Sequence, residues 1–163
     1  MTKLSATLEG QFPGYTTIVV PWTGTNDTQI ALGETMMQDA GLLAMPVVIV
    51  GFSAGADSAL IQADRLTNEG TKPVAVIMID PTCGRSGVDC NAQINNLINA
   101  GVPVLIIDGA QDNIDVYNLV PKDPGKNSGC YEVDQFDGPE HTEMPNDGQT
   151  QVAITNFFFY CSP

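Results

Sequence analysis

The chain has 163 residues, and its 43% of hydrophobic residues arrive in short runs, none of which approaches the ~18 consecutive apolar residues of a membrane span. Nineteen acidic residues against six basic ones give a net charge of −13, which would repel a nucleic-acid backbone or an anionic membrane surface. Length and composition therefore predict one globular domain over residues 1–163 and argue against nucleic acid as a partner.

Alternating apolar runs and helix-compatible segments predict an α/β fold. The predicted strands are 16–20 (TTIVV), 46–50 (PVVIV), 74–79 (VAVIMI), 102–107 (VPVLII) and 130–134, and the predicted helices are 28–40, 54–66, 91–100 and 150–159. The first four strands lack polar alternation, which is typical of strands buried on both faces. We therefore predict a three-layer α/β/α sandwich around a mostly parallel sheet of about five strands.

Four cysteines form an even set without a CxxC pair, and the chain has a single histidine, which argues against a zinc site. Cys83 and Cys90 flank a short loop, while Cys130 opens a late strand and Cys161 ends the chain. We expect the disulfides Cys83–Cys90 and Cys130–Cys161, with four reduced thiols as the alternative. Such pairs would suit a secreted or extracellular protein, whose signal peptide would then be absent from this chain because its N-terminus carries no apolar core.

The segment Gly51-Phe52-Ser53-Ala54-Gly55 follows a predicted strand and precedes a predicted helix. A GxSxG sequence in that context is typical of a nucleophile elbow, a tight turn that exposes the serine hydroxyl at the sheet edge. The N-terminus of the following helix points its partial positive charge at the place where an oxyanion would form. We predict Ser53 as a nucleophile.

A serine nucleophile needs a base, and the sole histidine, His141, is the only imidazole in the chain. It lies 88 residues after Ser53, between the last predicted strand and the last predicted helix. We predict that His141 is the general base, and the chemistry of such a pair needs no cofactor and no metal.

With these motifs the chain resembles the α/β-hydrolase family, on VVIVGFSAG, PVLIIDGAQDNID and DGPEHTEMP before a terminal helix. The resemblance implies a triad in the chain order nucleophile, acid, histidine. The family's acid commonly lies in a Gly-x-x-Asp pattern after the penultimate strand, which matches Gly109 and Asp112. Polyketide-type thioesterases, which the chain also resembles, carry their acid at the position of Asp80. Asp112 is thus the first choice and Asp80 the alternative, and the remaining candidates are Asp89, Asp108 and Asp115.

The resemblance also implies an oxyanion hole with the main-chain N–H of Ala54 as one donor. The loop after strand 16–20 would supply the other, from Trp22 or Thr23. Trp22 has two further interpretations, as an apolar wall for an acyl group or as a residue packed on the sheet. The N-terminal half is shorter than the family pattern, which has more strands before this one.

No long helical insertion follows the third strand, so we expect an open site without a large lid, with residues 113–129 as the only candidate flap. An open site suits a bulky, polymeric or carrier-bound substrate, although a small-molecule ester also remains a candidate. We therefore predict a serine hydrolase for carboxylic esters or thioesters. The alternatives are a carrier-linked thioesterase or acyltransferase with Asp80 as the acid, and a non-catalytic binding module on a hydrolase fold.

Overall fold

The structure, a computed structural model, describes residues 2–11, 14, 16–42, 44–83, 88–109, 120–121, 130–137 and 140–161. The strands are β1 (Val48–Phe52), β2 (Ala75–Ile79), β3 (Val104–Gly109) and β4 (Tyr131–Phe136). The helices are α1 (Thr2–Gln11), α2 (Asn26–Asp39), α3 (Ala54–Asn68), α4 (Cys90–Asn99) and α5 (Gly148–Cys161), with a short 3₁₀ helix at Met144–Asn146 before α5. None of the helices in these ranges is long and apolar enough to cross a membrane.

The strands form one parallel sheet in the order β1-β2-β3-β4. Each strand pairs with the next one along the chain, so the two crossovers through α3 and α4 run in the same direction and place both helices on one face. All four strands end at the same edge of the sheet. Side chains that follow β1 and β2 are thereby brought together.

The sheet has an apolar core on each face. On one face, alternate residues of β2 and β3 pack against α3 and α4, with Leu60 and Ile94 fully buried. On the other face, the intervening residues pack against α5 and α1, with Phe157 and Leu4 nearly fully buried. Helices therefore cover both faces of the sheet, as the sequence predicts. The helix α1 is not among the predicted helices.

The prediction of about five strands is wrong, because the sheet has four strands among the described residues and residues 16–20 are not part of it. Two main-chain groups of this segment bond to side chains instead of a neighbouring strand. The Thr17 N–H donates to Glu9 Oε1 at 2.8 Å, and Gln29 Nε2 donates to the Val20 carbonyl at 3.0 Å. Side chains of α1 and α2 thus take the place of a strand partner, and β1 is at the edge of the sheet that the described residues form.

Both predicted disulfides are present. Cys83 and Cys90 join across seven positions just after β2, with 2.05 Å between their sulfurs. Cys130 and Cys161 join the residue before β4 to the last residue of α5. The pairs are consistent with an extracellular protein.

Candidate active site

Ser53 lies in the turn between β1 and α3. Its backbone has φ 54° and ψ −129°, a region that residues with a side chain rarely adopt. Its N–H donates to the Ile79 carbonyl of β2 at 2.9 Å, and its carbonyl accepts from Ala56 N–H at 2.8 Å. The Ser53 hydroxyl does not cap α3. It is therefore available for a partner outside the helix.

Gly51 makes this turn possible. A Cβ built on Gly51 would lie 2.2 Å from the Gly55 carbonyl oxygen and 2.5 Å from the Ala56 Cα, so any side chain would collide with the main chain of α3. A Cβ on Gly55 would meet nothing within 4 Å. Of the two glycines in the motif, it is Gly51 that the close approach of strand and helix requires.

His141 lies between Ser53 and a carboxylate. Its Nε2 is 2.9 Å from Ser53 Oγ, and its Nδ1 is 2.6 Å from Asp80 Oδ2. His141 follows β4 by five residues and its side chain is 32% exposed, whereas that of Asp80 is 2% exposed. Hydroxyl, imidazole and buried carboxylate thus form one hydrogen-bonded line from the surface into the protein.

Asp80 is the residue that follows β2, and main-chain bonds hold it at the sheet edge. Its N–H donates to the Ile107 carbonyl at 2.6 Å, and its Oδ1 accepts from Gly109 N–H at 3.3 Å. The backbone at Asp80 has φ 50°, and among the described residues only Ser53 and Asp80 are non-glycine residues with positive φ. Among the described residues, positive φ outside glycine is therefore confined to the two side chains that are hydrogen-bonded to His141.

Two contacts around Ser53, His141 and Asp80 involve residues that the sequence analysis does not predict as part of the site. The ring of Phe52 lies against the imidazole of His141, with 4.8 Å between ring centroids. Asp57, fully buried in the first turn of α3, accepts from Thr82 N–H at 3.1 Å and from Thr82 Oγ1 at 2.6 Å. This second contact ties the segment after Asp80 to the helix after Ser53. Phe52 occupies a variable position of the Gly51–Gly55 motif and Asp57 lies outside any motif, so the sequence pattern assigns a role to neither side chain.

The other acid candidates stand elsewhere or lie outside the described residues. Asp112 and Asp115 lie outside the described residues, as does most of the predicted flap at 113–129. Asp89 caps α4, because its Oδ1 accepts from Ala92 N–H at 3.0 Å. Asp108 is buried at the end of β3 and accepts from Gln135 Nε2 at 3.1 Å. The described carboxylate beside His141 is that of Asp80, the alternative of the sequence reading.

The predicted oxyanion residues lie at two neighbouring helix N-termini. Ala54 is the first residue of α3, where main-chain N–H groups have no partner within the helix. Trp22 and Thr23 precede α2, and its first residue, Asn26, accepts at Oδ1 from Ser58 Oγ of α3 at 2.8 Å. The two N-termini are thereby bonded side by side. Trp22 is half-exposed rather than packed in the core.

One described group of potential metal ligands comprises Asp57, Cys83 and Cys90, whose ligand atoms lie within 4.8 Å of one another. The two sulfurs are bonded to each other, and Asp57 already accepts two hydrogen bonds from Thr82. Disulfide sulfurs do not offer the thiolate that a metal ion requires. This donor set does not suit a metal ion while the disulfide is intact.

No protein-family model and no curated protein matches the chain. Its fold is similar to a lipase-esterase related protein from Clostridium acetobutylicum, with TM-score 0.58 and 12% identity over 95% of this chain and 88% of that one. It is also similar to the NocB thioesterase domain, solved in covalent complex with a fluorophosphonate nocardicin G analogue, with TM-score 0.54 and 14% identity over 97% and 90% of the two chains. An α/β serine hydrolase homologue from Coxiella burnetii has TM-score 0.54 and 14% identity, over 94% and 73%. The chain has an α/β-hydrolase-like fold.

Proposed function

We propose that this α/β-hydrolase-like chain is a serine hydrolase that cleaves carboxylic ester or thioester bonds through an acyl-enzyme on Ser53. One observation carries the proposal: Ser53 Oγ lies 2.9 Å from His141 Nε2, while His141 Nδ1 lies 2.6 Å from the buried Asp80 carboxylate. A hydroxyl, a base within hydrogen-bond reach and an acid that orients the base are the parts of a nucleophilic triad.

In the acylation step, Ser53 Oγ forms a bond to the substrate carbonyl carbon as its proton passes to His141 Nε2. The carbonyl oxygen becomes an oxyanion, which the first N–H groups of α3 can stabilise. When the tetrahedral intermediate collapses, the bond to the alcohol or thiol breaks. The leaving group takes the proton from Nε2, and the acyl group stays on Ser53.

In the deacylation step, water is the nucleophile. It loses a proton to His141 Nε2 and adds to the acyl carbon. The bond between the acyl carbon and Ser53 Oγ then breaks, and Nε2 returns the proton to Ser53 Oγ. Asp80 accepts the hydrogen bond from Nδ1–H in both steps, which fixes the tautomer and stabilises the imidazolium. We assign this role to Asp80 rather than Asp112, because Asp80 is buried, bonded to Gly109 N–H and within hydrogen-bond reach of His141.

Release of a carrier-linked acyl group is the second candidate function. The assignment of the acid to Asp80 favours it, because that is the position at which the chain resembles polyketide-type thioesterases. About a third of the His141 side chain, 32%, is exposed, so a substrate can reach the imidazole from the surface. Hydrolysis of an N-acetylcysteamine thioester at a kcat/KM well above that of the matched oxygen ester would support this function, and the reverse order would favour an esterase.

The assignment of the acid is tested by replacing the two aspartates separately. Asp80→Asn is expected to lower kcat/KM on a short-chain p-nitrophenyl ester by about 10³–10⁴-fold, because the amide favours the wrong imidazole tautomer. Asp112→Asn is the matched control and is expected to stay within about tenfold of the wild type. A large loss for Asp112→Asn with an active Asp80→Asn protein would reject the assignment.

A further inference from the structure

Gln29, in the first turn of α2, bridges the two ends of the loop that precedes this helix. Its Nε2 donates to the Val20 carbonyl at 3.0 Å, and its Oε1 accepts from Thr23 N–H at 3.1 Å. In a hydrogen-bonded β-turn, residues three apart would bond to each other directly. Here the side-chain amide of Gln29 lies between them and completes both bonds.

The polar groups of Thr23 already have hydrogen-bond partners. Its N–H is committed to Gln29, and its hydroxyl lies 2.7 Å from Thr28 Oγ1. The N–H of Trp22, in the middle of the bridged loop, has no hydrogen-bond acceptor among the described residues. Of the two loop residues predicted as the second oxyanion donor, Trp22 is the one whose main-chain donor is available.

A separate contact joins the start of α2 to α3, the helix that follows Ser53. Asn26 Oδ1 accepts from Ser58 Oγ at 2.8 Å, and Ser58 is buried one turn after Ala54 in α3. Thr25 caps α2, since its side chain accepts from Thr28 N–H. The start of α2 is therefore bonded to α3 one turn after Ala54, and Gln29 in turn bonds the preceding loop to α2.

We propose that Gln29 is a positioning residue that holds the Val20–Thr23 turn open and directs the Trp22 N–H to the oxyanion beside the Ala54 N–H. The inference rests on the proposed function of Ser53. Gln29 acts through the loop and touches no reacting atom. A glutamine suits the position because one planar group supplies a donor and an acceptor, which neither Glu nor Met offers at neutral pH.

The test compares Gln29→Met, which keeps the length of the side chain and removes both bonds, with Gln38→Met near the other end of α2. Gln38 is exposed and serves as the matched control. For Gln29→Met we expect kcat on a p-nitrophenyl ester to fall about tenfold or more, with KM within about threefold, because an oxyanion donor acts only in the transition state. Affinity for a boronic acid that forms a tetrahedral adduct should fall in parallel. Gln38→Met should match the wild type.

A Gln29→Met protein with kcat within about twofold of the wild type would overturn the role of Gln29, and so would a loss confined to KM. If this variant fails to fold, Gln29→Glu replaces it. Glu still accepts from Thr23 N–H but cannot donate to Val20 near neutral pH, so the same loss of kcat is expected. Labelling of wild-type Ser53 by a fluorophosphonate separates the two proposals. A labelled wild type with an unaffected Gln29→Met variant rejects only the role of Gln29, whereas an unlabelled wild type rejects the proposed function.

The donor itself is tested with Trp22→Pro against Trp22→Ala. Both variants remove the indole, but only proline removes the main-chain N–H. We expect kcat of Trp22→Pro to lie at least about tenfold below that of Trp22→Ala, the cost of one lost oxyanion donor. Equal kcat values for the two variants would reject the Trp22 N–H as a donor.

Discussion

Ser53 and Asp80 share an uncommon property, a left-handed backbone angle at a residue with a side chain. Each follows the last residue of a parallel strand by one position, and each main-chain N–H bonds to the neighbouring strand. The conformation turns the side chain out of the sheet and toward His141. Strain of this kind costs about 1–3 kcal/mol per residue and persists where the surrounding structure enforces it.

The two glycines around Ser53 should differ in their tolerance of a methyl group. Gly51→Ala would place a Cβ against the main chain of α3, so we expect a loss of about 3 kcal/mol or more in the free energy of unfolding, and loss of activity. Gly55→Ala meets no atom and is expected to change stability little. Thermal unfolding of both variants measures the difference. Equal melting temperatures would contradict the described elbow.

At the level of elements, the sequence predicts β1 to β4 within two residues of their ends, and the signal is strongest for β2 and β3 because strands buried on both faces are continuous apolar runs. The same signal fails at residues 16–20, where side chains of Glu9 and Gln29 bond to the main chain. These partners lie only eight and nine positions away, but a side chain that bonds to the main chain leaves no apolar or polar periodicity in the sequence. The choice between Asp80 and Asp112 could not be made from the sequence for a related reason. The contact between Asp80 and His141 joins residues 61 positions apart, and no local pattern indicates it.

Strand β4, the last strand of the described sheet, carries two acidic residues whose pKa values differ from their ordinary values in the folded protein. Burial raises the pKa of Asp134 above its ordinary value, and burial together with the nearby Asp134 raises the pKa of Glu132. A raised pKa in the folded state favours the protonated form. The stability that these groups contribute is therefore present at acidic pH and is lost as pH rises through their folded pKa values.

Asp134→Asn removes the carboxylate whose charge the fold disfavours. We expect the variant to have a higher melting temperature than the wild type near neutral pH, and the difference to shrink toward about pH 3, where Asp134 is protonated in both folded and unfolded states. Thermal unfolding across this pH range provides the measurement, with the exposed Asp39 replaced by Asn as the control. A difference in melting temperature that grows as the pH falls would contradict a raised pKa of Asp134 in the folded state.

For the whole molecule, we expect the two disulfides to differ in effect, one on stability and the other on the position of Asp80. Cys130–Cys161 joins β4 to the end of α5 and closes a 31-residue separation, whereas Cys83–Cys90 closes a seven-residue separation three positions after Asp80. The Cys130–Cys161 disulfide reduces the number of conformations open to the unfolded chain. The second, together with the hydrogen bond between Asp57 and Thr82, holds the segment that directly follows Asp80, the proposed acid.

Replacing each pair by alanine should separate these effects. Cys130→Ala with Cys161→Ala is expected to lower the free energy of unfolding by about 3–4 kcal/mol and to leave kcat unchanged well below the melting temperature. Cys83→Ala with Cys90→Ala should lower kcat about tenfold or more under the same conditions, through displacement of Asp80. Unfolding curves and turnover on one ester measure both quantities. Unchanged kcat in the second pair would contradict a role for that disulfide in holding the acid.

The most direct test of the central claim is covalent labelling of the native protein with a fluorophosphonate, followed by peptide mapping. We predict one adduct per chain, located on Ser53, because in the proposed triad His141 and Asp80 activate that hydroxyl. Labelling should be lost in Ser53→Ala and in His141→Ala, and strongly slowed in Asp80→Asn. A folded wild-type protein that remains unlabelled, or an adduct on another residue, would contradict the account.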